Sequence, residues 1–526
     1  MLTRESVFQS RDTVRIWEKF CGFLDLSVQE FMDIQNELLM EEIELVADSP
    51  LGKKIMKNQK PNSLEEYRKL VPLTTYEDYA PYIGNCQEDA LSSKPALWVH
   101  TAGRSGSFKW VPYTNRSLER YADAAMAGLI LSCTDRKNEV KITEGSKFLF
   151  ILAPRPYMSG ISAWTLTERF GLKVIPPLEV SESLGFQERI ALGFKIAMRS
   201  EVDVIGAVST VLLKVGEQFA EQSSGMKFSL SMLHPFVVSR LIRAWVRSKT
   251  QHRKILPQDL WPVKGLGCGG TDTGIYRDKL IYYWGQPPFE SYGFTEGGIV
   301  AMQSWLKKGM VFYPYLTYFE FVPEDEWLKS RDDKNYQPKT LLINETKPGK
   351  IYELVITSFN GMPFLRYRPG DLIRITQHEE KESGIKLPQF EFVSRADDLI
   401  DLYSIVRLDE KTLWQALINT STKYEEWTAR KEYEDNMPVL RFYIEPKQDT
   451  KAEILNNSLH EQLLSISPLY REAIGEMRTN PVRVTLLSSG SFQRYQNEKQ
   501  KAGVDLANTK PSHMNVRDTV IQDLIK

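Results

Sequence analysis

Thr101-Ala102-Gly103-Arg104-Ser105-Gly106-Ser107-Phe108-Lys109-Trp110-Val111-Pro112-Tyr113 is the stretch on which the reading of this chain turns. Two glycines and several small residues precede a single lysine, and the run follows an apolar, strand-like segment at 96–99. Glycine adopts positive φ at no steric cost, so such a loop can curl its backbone N–H groups around a phosphate. Lys109 would add a point charge suited to a polyphosphate. The spacing is not that of G-x-x-x-x-G-K-[ST], because Trp110 follows the lysine where a hydroxyl residue is required. By itself the run is either a phosphate loop or an ordinary Gly/Ser turn.

At 526 residues the chain exceeds what one hydrophobic core supports, so at least two domains are expected. Apolar content of 42% with 11% aromatics describes a well-buried globular protein. Lys plus Arg number 67 against 68 Asp plus Glu, a net charge of −1. Bulk charge therefore offers nothing to nucleic acid or to a membrane surface. The cysteines Cys21, Cys86, Cys133 and Cys268 form no C-x-x-C pair, which disfavours a disulfide framework or zinc site and suits a reducing compartment. The start, Met-Leu-Thr-Arg-Glu-Ser, has no signal-peptide core, and no window nears the roughly 20 apolar residues of a membrane span. A soluble, cytoplasmic protein is expected, with neither nucleic acid nor membrane as partner.

Periodicity points to an α/β fold. Apolar residues at three- and four-residue spacing (Phe31, Ile34, Leu38, Leu39, Ile43) predict a helix over 13–46. Beyond it, predicted helices at 115–131, 164–170 and 185–199 alternate with strands at 147–152, 173–175 and 202–208; the last is a β-branched run suited to a buried parallel strand. Residues 324–339 look like a polar surface insertion. A boundary falls near 394, after which strands and helices mix (helices 409–418 and 454–465, strands 439–444 and 482–487). The expected organisation is a large layered α/β N-terminal domain, 1–394, and a smaller mobile α+β C-terminal domain, 395–526.

Three further clusters carry chemistry. Glu290-Ser-Tyr-Gly-Phe-Thr-Glu-Gly-Gly298 sets an aromatic, a hydroxyl and a carboxylate in a glycine-punctuated turn. Glu296 suits Mg²⁺, a hard cation that takes carboxylate oxygen while bridging phosphates. Tyr292 offers a stacking face for a base and Thr295 a hydroxyl for a phosphate; the other reading is a surface loop with a solvated glutamate. Phe364-Leu-Arg-Tyr-Arg-Pro-Gly-Asp-Leu372 places Asp371 after a Pro-Gly turn, where a carboxylate can accept both ribose hydroxyls or merely close a turn. Gly267 to Asp272 could let an adenine lie against backbone, at Gly269 and Gly270, although glycine turns after strands are frequent.

The order of these clusters, closed by Arg395-Ala-Asp-Asp398, resembles the adenylate-forming superfamily of acyl-CoA synthetases, luciferases and relatives. Within it the chain looks most like the plant auxin-responsive acyl-acid amido synthetases. Leu70-Val-Pro-Leu-Thr-Thr-Tyr-Glu-Asp-Tyr-Ala-Pro-Tyr-Ile83 is similar to their V-P-x-x-x-Y-E-D-x-x-P-Y-I stretch, and Gly349-Lys-Ile-Tyr-Glu-Leu-Val-Ile-Thr-Ser-Phe-Asn-Gly361 to their Y-E-L-V-x-T run. Pro388-Gln-Phe-Glu-Phe-Val-Ser-Arg395 also matches, and Gly490-Ser-Phe, Gly503 and Lys510-Pro511 keep the spacing of their late G-T-F…G…Q-Y-K-x-P-R segment. The likeness runs from about residue 60 to 515.

This resemblance implies ATP and Mg²⁺ as cofactors and two substrates, a small carboxylic acid and an amine or amino acid. Thr101, Gly103, Ser105, Gly106 and Lys109 would hold the phosphates. Glu296 would serve Mg²⁺, Tyr292 and Thr295 the adenine and α-phosphate, and Asp371 the ribose, with Arg395 at the hinge. Lys510 would be the lysine that the C-terminal domain swings toward the reacting carboxyl. The acid pocket would be built from 157–164 and 208–213.

The sequence departs from the family in three places. Ala102 and Arg104 replace hydroxyl residues of the loop; either the Arg104 guanidinium compensates or the loop is short of donors. Tyr-Gly-Phe-Thr-Glu296 is closer to aryl-CoA ligases, such as phenylacetate-CoA ligases, than to the amido synthetases' Y-x-x-S-E. Asn508-Thr509 replaces Gln-Tyr before Lys510, and the late arginine is missing from Pro511-Ser512-His513. The expected activity is formation of an acyl-AMP and then an amide. The alternatives are a thioester ligase using CoA or a carrier protein, and a non-catalytic nucleotide-binding relative.

Overall fold

The computed structural model describes residues 2–101, 109–222, 235–269, 273–333, 336–396, 399–402, 406–434, 437–468, 470–471, 474, 480–501, 512–516 and 518–526. Among these residues eighteen strands run in chain order: β1 Leu97–Thr101, β2 Lys109–Tyr113, β3 Lys147–Phe150, β4 Lys173–Ile175, β5 Val204–Val208, β6 Gly265–Gly269, β7 Pro288–Phe294, β8 Gly298–Gln303, β9 Met310–Phe312, β10 Thr317–Pro323, β11 Ile351–Ser358, β12 Asp371–Gln377, β13 Gln389–Arg395, β14 Ile400–Leu402, β15 Val406–Leu408, β16 Tyr424–Glu434, β17 Met437–Pro446 and β18 Val482–Leu486. Among the described residues no helix is long and apolar enough to cross a membrane.

The chain divides into two compact units. One takes in 2–101, 109–369 and 373–391; the other takes in Gly370–Leu372 and Phe392–Lys526.

The layered α/β architecture is present in the first unit. Its large sheet has the order β10-β11-β12-β13-β9-β8-β7-β6-β5-β3-β4. From β4 through β3, β5 and β6 to β7 the strands are parallel; β7–β8, β8–β9, β9–β13 and β10–β11 pair antiparallel. The β-branched, apolar β5 is buried in the parallel half, as its composition demands. Leu149, Ile205, Ala207 and Leu266 of these strands pack with Leu212, Trp261, Leu280 and Trp284 in one core. β1 and β2 form a separate antiparallel pair, with Thr101 opposite Lys109, so the opening stretch is the connection of a hairpin.

Two expectations are corrected. The helix predicted over 13–46 is broken into Thr13–Cys21, a 3₁₀ turn at Gly22–Asp25, and Val28–Val46. Ser27 stops and restarts it: the Ser27 hydroxyl accepts from Glu30 N–H at 3.2 Å, and Glu30 accepts from Ser27 N–H at 2.8 Å, a reciprocal capping box. The supposed surface insertion at 324–339 begins with a helix, Glu324–Asp332, whose Trp327 is only 3% exposed. Glu326 ties down the chain beyond that helix, accepting from the Tyr336 hydroxyl at 2.8 Å and from Lys339 N–H at 2.9 Å.

In the second unit β16 pairs antiparallel with β17, and β17 pairs parallel with β18. Helices Glu410–Asn419 and Ala452–Ile466 bury Leu413, Leu417, Leu459 and Leu463 in one cluster with Trp427, Phe442 and Ile444. His513 lies against this core, stacked on Trp427 with centroids 4.6 Å apart. Its Nδ1 meets Glu410 Oε1 at 2.6 Å and its Nε2 meets Glu426 Oε1 at 2.7 Å. Burial alone would lower the imidazole pKa, but the two carboxylates outweigh it and raise the value to about 9.

Candidate active site

Glu296 stands at the tip of the β7–β8 hairpin. Phe294 pairs with Gly298, so Thr295, Glu296 and Gly297 make the turn, closed by Gly297 N–H donating to the Phe294 carbonyl at 3.1 Å. Gly298 has φ +75°, the left-handed region that favours glycine. At Gly293 a Cβ would lie 2.4 Å from the Gly298 carbonyl oxygen, so the two strands approach this closely only without a side chain there. The tip is no solvated loop, for Thr295 and Glu296 are 7% and 6% exposed.

Three hydroxyls hold it. The Tyr113 hydroxyl, from β2, donates to the Thr295 carbonyl at 2.6 Å, and the Ser358 hydroxyl, from β11, donates to the Glu296 carbonyl at 2.7 Å. The Tyr367 hydroxyl donates to Glu296 Oε1 at 2.5 Å. Buried carbonyls and carboxylates require such partners, and each donor here comes from a distant strand or turn.

Tyr367 is itself fixed from both sides. Its backbone exchanges hydrogen bonds with Ile356 at 2.6 and 2.9 Å, while Thr74 bonds Arg366 and Arg368 on either side of it at 2.9 and 2.8 Å. Arg366 takes φ +46°, uncommon for a residue with a side chain. Its guanidinium spans Glu320 with bonds of 3.0 and 2.9 Å and donates to the Arg68 and Val71 carbonyls at 2.7 Å each.

Lys109 begins β2, with its Nζ 4.9 Å from the centroid of the Tyr76 ring. Tyr76, from helix Tyr76–Ile83, fastens the strand: its hydroxyl accepts from Trp110 N–H at 2.8 Å and donates to the Trp110 carbonyl at 3.1 Å. Burial pushes the Tyr76 phenol up to about 12, and the Glu296 charge adds to the rise. Tyr113 is driven well above the usual phenol range by burial first, then by Tyr121 and Glu296. Both phenols therefore stay protonated donors at neutral pH. Lys109, Tyr76 and the Glu296 tip belong to one electrostatic neighbourhood.

Tyr292 is buried on β7, its ring edge-on to Phe294 and Phe390 at 5.7 Å each. Gly269 ends β6, and its carbonyl accepts from the Ser209 hydroxyl at 3.0 Å. In the second unit Asp371 opens β12 directly after Gly370, whose φ is +79°, and is 4% exposed. The Gly370 carbonyl accepts from Ala396 N–H at 2.7 Å, next to Arg395 at the end of β13. Ala102, Gly103, Arg104, Ser105, Gly106, Gly270 and Lys510 lie outside the described residues, as do the side chains of Thr101 and Arg395.

Of the segments expected to form an acid pocket, 157–164 presents polar and aromatic groups. Tyr157 meets His100 at 4.5 Å, Ser162 bonds the Tyr121 hydroxyl at 2.5 Å, and Trp164 lies 5.5 Å beneath the Arg155 guanidinium. Burial lowers the His100 pKa, which favours its neutral form. Leu212 and Leu213 instead lie in the core, where the Leu212 carbonyl accepts from Trp284 Nε1 at 3.1 Å.

Tyr76, Tyr113, Ser358 and Tyr367 were assigned no role from the sequence. All four nevertheless stand inside stretches singled out there, and a hydroxyl within or beside a motif is the available signal.

Residues 22–222 match the GH3 family N-terminal domain and residues 310–395 the GH3 family central domain. Indole-3-acetic acid-amido synthetase GH3.2 of Arabidopsis thaliana is 30% identical over 418 residues, 69% of this chain and 74% of that protein. Jasmonoyl–L-amino acid synthetase JAR4 of Nicotiana attenuata is 25% identical over 441 residues, 73% and 72% of the two chains. Among solved structures, the acyl acid amido synthetase GH3.15 in complex with 2,4-DB superposes with a TM-score of 0.64 at 17% identity, over 96% of this chain and 95% of that one. A 2-hydroxyisobutyryl-CoA ligase in the postadenylation state does so with a TM-score of 0.62 at 13% identity, over 95% and 92%. The structural likenesses establish the fold.

Proposed function

Because the chain belongs to the GH3 family, we propose that it is an ATP-dependent ligase that activates a carboxylic acid as acyl-AMP and passes the acyl group to an amine or amino acid. The observation that supports this best is the buried Glu296 tip, clasped by three hydroxyls, one of them on the strand that begins with Lys109.

In the first step a carboxylate oxygen of the acid attacks the α-phosphorus of ATP. A C–O–P linkage forms, and the bond to pyrophosphate breaks. Positioning and charge neutralisation dominate such a transfer. Lys109, with the loop residues Thr101, Gly103, Arg104, Ser105 and Gly106, meets the phosphates. Asp371 accepts from the ribose hydroxyls, near Arg395, and Gly269, Gly270, Tyr292 and Thr295 flank the adenine and α-phosphate.

Glu296 fits Mg²⁺, which is commonly bound by one or two carboxylates plus substrate phosphates while keeping several waters. The ion would supply Lewis-acid charge at the phosphate oxygens. In the second step the amine nitrogen attacks the acyl carbon, AMP departs, and the nitrogen's proton leaves to the AMP phosphate or water. Lys510, from the C-terminal domain at 395–526, would stand near the reacting carboxyl.

Product mass tests the reading. With ATP, magnesium, a panel of carboxylates and either amino acids or coenzyme A, an acyl amide and AMP are expected. A thioester formed in preference overturns the acceptor.

A further inference from the structure

We propose that Tyr367 is a positioning residue for the metal-binding carboxylate, orienting Glu296 through its hydroxyl; the inference rests on the reading of Glu296 as the magnesium ligand. Glu296 sits on a three-residue tip, and its side chain receives a buried phenolic donor at 2.5 Å, the short distance of a charge-assisted bond. A glutamate has three rotatable bonds. A fixed donor on one oxygen removes that freedom before any cation arrives.

The donor is unusually well fixed. Tyr367 is 2% exposed, its ring contacts Phe364 at 5.1 Å and Tyr79 at 6.1 Å, and Ile356 and Thr74 hold the backbone on both flanks. One residue earlier, Arg366 is kept at φ +46° by its double bond to Glu320 and by two backbone carbonyls. Unfavourable backbone angles persist only where the surroundings over-determine them, and they gather at functional sites. Here the consequence is local: with Arg366 locked, the next side chain is aimed at the tip.

Tyr367→Phe deletes one oxygen and leaves the ring packing in place. The test titrates Mn²⁺ with α,β-methylene-ATP into the full chain and reads free Mn²⁺ by electron paramagnetic resonance. Analogue affinity without metal and thermal melting are measured alongside. For Tyr367→Phe, Mn²⁺ affinity is expected to fall roughly tenfold, the scale of a hydrogen bond to a charged group, with metal-free analogue affinity unchanged. Glu296→Gln separates the two claims. If Glu296→Gln weakens Mn²⁺ and Tyr367→Phe does not, the inference about Tyr367 is overturned. If Glu296→Gln leaves Mn²⁺ affinity intact, the reading of Glu296 fails instead. Equal losses of metal-bound and metal-free analogue affinity in Tyr367→Phe would reduce Tyr367 to a structural role and also overturn the inference.

Discussion

The Tyr113 hydroxyl donates to the Thr295 carbonyl oxygen at 2.6 Å, joining the strand that begins with Lys109 to the hairpin tip that carries Glu296. Tyr113→Phe keeps the ring against Tyr121, 6.3 Å away, but leaves a buried carbonyl without this donor. A cost of about 1–3 kcal/mol in stability is expected. Carboxylate-dependent pyrophosphate exchange should fall with it, because the tip loses one of its three hydroxyl ties. A variant with unchanged melting and unchanged exchange would show that this bond does not hold the site.

The Arg366–Glu320 pair is buried, with side chains 7% and 1% exposed. Removing one charge strands the other, so Glu320→Gln should destabilise the chain by about 3–5 kcal/mol, read by thermal or denaturant unfolding. The loss should far exceed that of an exposed pair such as Arg116 with Glu41, where Glu41→Gln is expected to cost no more than about 1 kcal/mol.

How much of this could be read in advance differs between fold and site. The alternation of helices with β-branched strands revealed the layered sheet, because period and composition are local properties. The break at Ser27 was legible too, since Ser27 and Glu30 spell a capping box, but the apolar spacing continues across it and concealed the stop. The helix at 324–332 escaped because its segment carries only two apolar side chains, Trp327 and Leu328, and burial of Trp327 depends on what packs over it. The chemical residues Glu296 and Lys109 stood in recognisable motifs. Their supports stood in such stretches too, but the pairings did not show: Tyr113 lies 182 residues from Thr295, and Ser358 lies 62 from Glu296, and no periodicity encodes such a pairing.

His513 makes stability depend on pH. Its folded pKa, raised to about 9, exceeds the ordinary value of 6.5, so the native state holds the proton more tightly than the unfolded chain. The stabilisation is complete below pH about 6.5 and is lost as pH rises through 9. It amounts to at most about 3 kcal/mol. Melting temperature should decline over that window, and His513→Gln should flatten the decline. An equal decline in the variant would place its origin elsewhere.

Glu42 acts between pH 4.5 and about 8. Burial raises its pKa to about 8, although both oxygens accept from Gly361 N–H at 3.0 Å. Below pH 4.5 the proton is bound in both folded and unfolded chains; between 4.5 and 8 only the native state keeps it, so stability falls as pH rises. Glu42→Gln preserves an acceptor without the charge. It should melt higher than the parent at pH 8, with the difference shrinking toward pH 4.5. A constant difference across that range would contradict this account.

Everything proposed for the site rests on Glu296 and Asp371 serving an adenylation step. Carboxylate-dependent exchange of labelled pyrophosphate into ATP measures that step alone, before any acceptor is involved. Exchange by the parent chain, with a loss of about 100-fold or more in Glu296→Ala and in Asp371→Ala at unchanged melting temperature, is the predicted result. Near-parental exchange in both variants, or none from the parent with any acid in a broad panel, would contradict it.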